Sequence, residues 1–142
     1  MSDNKLTIVL KELELIQVQI NKYDDLSDKI KTWAITLWIA SLGWYFQANN
    51  KNIVILNIVV ILALWFLNAV NKNFREDYKK RRNDVVLGLE IFFKDNVWSD
   101  NFSSPKMPSH QTKKVFKYFL LPHISLNYLP LIIISFLIYF LV

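Results

Sequence analysis

The stretch NIVILNIVVILALWFLNAVN, Asn52 to Asn71, decides the fold of this chain. It holds no charged residue, and at about 1.5 Å of rise per residue it is long enough to cross a bilayer core about 30 Å thick as one helix. Lys51 and Lys72 close it at either end. Outward from it lie two more uncharged windows, Thr32 to Asn50 and Tyr118 to Val142. In the first, the strongly apolar part runs only from Trp33 to Phe46, with Trp33 and Trp44 placed to anchor a short span at the headgroups. In the last, Pro122 suits a first helical turn, and Pro130 is expected to kink the helix it sits in. With 53 % hydrophobic and 20 % charged residues in 142 positions, the chain has more apolar surface than one soluble core can hide. The expected fold class is an all-α membrane protein with three transmembrane helices and cytoplasmic amphipathic helices.

Charge sets the orientation. Five lysines precede residue 32, eleven Lys and Arg fall between Lys72 and Lys117, and the turn between the first two windows carries only Lys51. Positive flanks stay in the cytoplasm, so the amino terminus is expected inside and Val142 outside. The segments are then 1–31, a cytoplasmic heptad helix; 32–71, a transmembrane hairpin; 72–120, a cytoplasmic basic helix and loop; and 121–142, the third transmembrane helix. No cleavable signal peptide is expected, because the first apolar run follows a charged stretch.

Before the first window, Leu6, Val9, Leu13, Ile16, Ile20, Tyr23, Ser27 and Ile30 recur every three or four residues, a heptad stripe facing a partner helix. Lys11, Glu12, Glu14, Gln17, Gln19 and Lys22 fall on the polar faces. That stripe either joins subunits or folds back on residues 72–98, where Phe74, Tyr78, Val85, Leu89, Phe92 and Phe93 form an apolar face interrupted by Gly88. With no Gly or Pro before Gly43, the helix can run on into the first window, the alternative being a break at Asp24, Asp25 and Ser27, since Asp and Ser favour helix starts. Residues 99–112, rich in Ser and Pro, read as a loop, and 113–120 as a short interfacial helix.

Little in the chain supports catalysis. Cysteine is absent, histidine occurs only at His110 and His123, and Gly43 and Gly88 are the sole glycines, so neither a thiolate site nor a Gly-rich phosphate loop can be built. His110, next to Ser109 in a polar loop, reads as an ordinary solvated side chain. No enzyme activity, cofactor or metal is expected. The second window is more informative. Asn57 and Asn68, eleven positions apart, fall within about 20° of each other on one helix face, and Asn71 lies one turn on. Amides on an aliphatic helix avoid lipid. Two readings follow: hydrogen bonding between helices, or a pore lining of Asn57, Ile61, Leu64, Asn68 and Asn71 in which Ile61 and Leu64 form a hydrophobic gate. A pore requires several copies of the chain. Thr32, Thr36, Ala40, Gly43 and Gln47 form a small or polar stripe suited to close helix packing. The run Lys79, Lys80, Arg81, Arg82 would meet anionic lipid, or bind a nucleotide or oligonucleotide signal with Phe74 and Tyr78 nearby.

YDDLSDKIKTWAITLWIASLG at 23–43, together with LWFLNAVNKNF at 64–74, resembles a group of small bacterial membrane proteins of antiphage defence operons. Tyr23, Asp24, Lys31 to Thr36, Trp65, Phe66, Leu67, Ala69 and Phe74 carry the resemblance. It implies an inner-membrane effector of nucleotide-signalling or Hailong-type systems, whose oligomeric channel kills or arrests an infected cell. Asn57 and Asn68 would then be pore residues. At Asn68 the chain departs from the group, in which an acidic residue is common. The combined expectation is a homo-oligomeric gated ion channel, with a non-conducting scaffold that recruits a soluble regulatory partner as the alternative.

Overall fold

The computed structural model describes residues 2–98, 102–108 and 115–141, without the side chains of Ser2 and Asp3. Its described regular elements are all helical: α1 (Ser2–Ala48), α2 (Asn52–Asp95), α3 (Val115–Phe119), α4 (Pro122–Ser125) and α5 (Leu129–Leu141). They form two compact units, one of Met1–Asp24 with Phe74–Gln111 and one of Asp25–Asn73 with Thr112–Val142. α1 runs on through Asp24, Asp25 and Ser27 into the first apolar window without a break. Ser27 donates to Asn68, Asp28 accepts from Lys31 and Asp24 accepts from Arg75, so these side chains do not compete for the helix backbone. Both long helices end on an asparagine with positive φ, Asn49 at 48° and Asn96 at 58°. Asn is one of the few residues that tolerate this left-handed cap. Asn50 Oδ1 then accepts the amide of Asn52 and starts α2.

In the first unit the heptad stripe closes on its own chain. Val9, Ile16 and Ile20 are buried against Val85 and Leu89, with Leu6, Leu13, Tyr78, Trp98 and Phe102 around them. Trp98 stacks on Phe92 at 4.4 Å and on Phe102 at 5.1 Å. Phe93, expected on the same face as Phe92, is instead 70 % exposed, because adjacent helix positions point about 100° apart. Gly88 is not merely a weak helix former: a Cβ there would stand 2.5 Å from two ring carbons of Phe102. At Gly43 a Cβ would meet nothing within 4 Å. Gly43→Ala is therefore expected to stabilise by up to about 1 kcal/mol through helix propensity, whereas Gly88→Leu displaces Phe102 and costs about 1–3 kcal/mol. Thermal melts of the two variants should move in opposite directions.

The second unit packs α5 against the paired halves of α1 and α2. Ala34, Ile61, Trp65, Ile124, Tyr128 and Ile132 form one cluster; Tyr45, Ile53 and Val54, with Ile138 and Tyr139 beside them, form another. Lys51, in the α1–α2 turn, reaches the carbonyl of Tyr139 at 3.4 Å, so that turn and the end of α5 lie together. The third apolar window differs from expectation. Rather than one helix kinked at Pro130, the chain breaks at 126–128 and restarts at Leu129, because Pro130 has no amide to donate and its ring clashes with the preceding turn. Only α2 is, among the described residues, both long and apolar enough to cross a membrane; α5 is a shorter apolar helix. In α1 the apolar stretch is diluted by Thr32, Thr36, Ser41 and Gln47.

Candidate functional site

The asparagine row of α2 lies inside the second unit. Asn57 is 3 % exposed and Asn68 1 %, Asn71 and Ile61 are also buried, and Leu64 is half-buried. Ser27 Oγ donates to Asn68 Oδ1 at 2.8 Å. Nearby, Trp38 Nε1 donates to Ser135 Oγ at 3.0 Å, and Trp65 Nε1 to the carbonyl of Phe119 at 3.0 Å. Asn57 stands apart from these pairs, since neither atom of its carboxamide has a hydrogen-bond partner among the described residues. The outward face carries the reverse chemistry. Ile35, Ile39, Val59, Phe66, Ile133 and Phe136, from all three helices, are each roughly half exposed. Within the most apolar 18-residue window of α2 only 39 % is buried, so most of its aliphatic surface points away from the protein. An apolar outward face, around an apolar core that also holds buried amides, departs from the soluble pattern.

In the first unit the run 79–82 does not converge. Consecutive helical residues radiate at about 100° steps. Lys79 lies 3.5 Å from Glu76, Lys80 is exposed and Arg82 half-buried. Arg81 points inward: its Nε donates to Glu12 Oε1 at 2.7 Å and its Nη2 to the carbonyl of Ser103 at 2.6 Å. Both side chains of the pair are only 8 % exposed. Ser104 Oγ and the amide of Lys106 complete the shell of Glu12. This clamp ties 103–106 to both long helices, and Glu12 is no solvated residue as its polar neighbours suggested. A signal was present in the sequence: Glu12 lies three positions from Val9 and four from Ile16, in line with the buried stripe.

A second ion pair joins Arg75 Nη2 to Asp24 Oδ2 at 2.9 Å. Beside it the ring of Tyr23 lies 6.1 Å from that of Phe74 and 5.7 Å from that of Tyr78. Burial, then the neighbouring Tyr78, push the Tyr23 phenol above its ordinary range. The two aromatics proposed for base stacking thus pack on Tyr23. Next to the clamp an apolar groove of about 580 Å³ runs along Ile8, Leu15, Ile16, Tyr78 and Met107, with Lys11 and Lys106 at its rim. His110 lies outside the described residues. Among those residues no cluster of His, Cys, Asp or Glu could hold a metal ion. No family model, curated protein or solved structure matches this chain.

Proposed function

We propose that this protein is a homo-oligomeric membrane effector that forms a gated ion-conducting path, in keeping with its resemblance to the membrane proteins of antiphage defence. The observation that carries the membrane reading is the aliphatic and aromatic outward face of the second unit, around an apolar core that also holds buried amides. Three crossings are made by the α1–α2 hairpin and by α4–α5 together, the shorter passages being completed by interfacial Trp33 and Trp44 and by local thinning of the bilayer. The proximity of Lys51 to Tyr139 supports a turn and a chain end on one side, the outer one under the positive-inside rule. In this conformation the path is shut. Ile61 is fully buried between Asn57 and Asn68, so conduction requires α1 or α5 to move aside and expose the row.

Leu64→Ser, at the half-buried edge of that plug, is expected to hydrate it and make cells leaky. The measurements are dye uptake on expression and conductance in a planar bilayer. Wild-type-like tightness at equal membrane expression would count against a path through this row. The exposed apolar groove of the first unit favours a second reading, a non-conducting scaffold that recruits a soluble cytoplasmic partner. Under that reading neither protein conducts, and substitutions at Leu15 and Met107 abolish function without altering membrane permeability.

A further inference from the structure

In the second unit, four residues of α1 and four of α2 enclose a groove of about 260 Å³. Leu37, Ala40, Ser41 and Trp44 sit at i, i+3, i+4 and i+7 on one side; Ile53, Leu56, Asn57 and Val60 repeat that spacing on the other. The lining is aliphatic and aromatic except for Ser41 and Asn57. Ser41 commits its one hydroxyl proton to the carbonyls of Leu37 and Trp38. Asn57 is more than nine-tenths buried at the groove floor, and its carboxamide has no partner among the described residues. In hydrocarbon an unsatisfied amide costs several kcal/mol, and an acyl chain lying in the groove could offer it nothing.

We infer that this groove is the contact between two copies of the chain, centred on an Asn57–Asn57 amide pair. This inference rests on the proposal that the unit is membrane-embedded and self-associating, and it names the surface. Copies inserted with the same orientation are related by an axis along the membrane normal, so residues at equal depth meet. A carboxamide carries both donor and acceptor and therefore pairs with its own symmetry mate. Trp44 and Leu56, each 56 % exposed at the rim, are the knobs that enter the partner groove, and they turn aside to uncover the amide. Ala40 and Ser41 are small enough to let the backbones approach. Continuous with the groove through Ala40, the stripe of Thr32, Thr36, Gly43 and Gln47 is exposed, and no described residue lies within 4 Å of a Cβ placed at Gly43.

The test uses the full chain in membranes and in mild detergent. Because the sequence has no cysteine, Ala40→Cys introduces the only thiol, and oxidation is expected to trap a disulfide-linked dimer. Leu62→Cys, about 170° around α2 from the groove, is expected not to cross-link. Asn57→Leu is expected to weaken self-association about tenfold or more, read by light scattering across a dilution series. Ala40→Phe, on the exposed rim and harmless to the protomer, is expected to do the same. If Asn57→Leu associates as tightly as wild type, or Ala40→Cys gives no dimer while wild type remains oligomeric, the contact lies elsewhere and this inference is overturned. Were the wild type monomeric throughout, the self-association proposal would fall with it.

Discussion

Arg81→Met is expected to destabilise the first unit by about 3–5 kcal/mol, enough to unfold it in many marginally stable domains. The substitution leaves Glu12 in a site where its carboxylate has lost a two-toothed partner, and the penalty is chiefly that of an uncompensated buried charge. Glu12→Leu alone should cost a similar amount, for it strands the guanidinium. The double variant Glu12→Leu with Arg81→Met is expected to recover part of the loss, because two apolar side chains of suitable size no longer carry buried charge. It should not reach wild type, since the Ser103 carbonyl, the Ser104 hydroxyl and the Lys106 amide still lose their partner. Thermal melting of the four proteins, followed by circular dichroism, gives the coupling directly. A wild-type melt for Arg81→Met would show that the pair holds nothing together.

Trp65→Ala is the second large effect. The indole is 6 % exposed, stacks on Phe119 at 4.1 Å and on Tyr128 at 6.0 Å, and donates to the Phe119 carbonyl. Removing it empties a large volume where α2 meets the segment that follows the loop, at an expected cost of about 3–5 kcal/mol. In a bilayer the loss is one of packing and hydrogen bonding rather than of apolar burial, because lipid is as apolar as the side chains it replaces. The expected consequence is local: α3 to α5 detach and become protease-sensitive while the α1–α2 hairpin persists. Trp65→Phe keeps a ring in the stack and loses the indole donor, so about 0.5–1.5 kcal/mol is expected. Phe66→Ala, one residue away and half exposed, is expected to change little. Equal proteolysis of the Trp65 and Phe66 variants would contradict this assignment.

Much of the helical content was legible in the sequence for a physical reason. Asn52 to Asn71 carries no charge and no helix breaker, and the stripe from Leu6 to Ile30 keeps helical spacing. Pro122 likewise marked the start of α4, since the lack of an amide is a local property, whereas Pro130, expected to kink one continuous helix, follows a break and stands second in α5. The capping residues were less obvious. Asn49 and Asn96 look like ordinary polar residues until the left-handed backbone beneath them is seen.

What the sequence determined by itself is therefore local and additive: which residues are helical, which faces are apolar, and where uncharged windows lie, of which only that of α2 forms, among the described residues, a helix long and apolar enough for a bilayer. Pairing was the tertiary structure's to decide. Heptad spacing is the same whether a stripe meets its own chain or another, and only the folded chain shows Val9, Ile16 and Ile20 against Val85 and Leu89. A basic run gives no hint that one of its members turns inward, and Arg81 does so because Glu12 waits at the facing turn of α1. Likewise an asparagine row looks the same in sequence whether it is glue or pore lining. The fold buries Asn57 and Asn68 inside the protomer, satisfies an oxygen of Asn68 through Ser27 and leaves Asn57 without a partner among the described residues. Hydrogen-bond partnership depends on which distant segments are brought within about 3 Å, and helical periodicity carries no record of that.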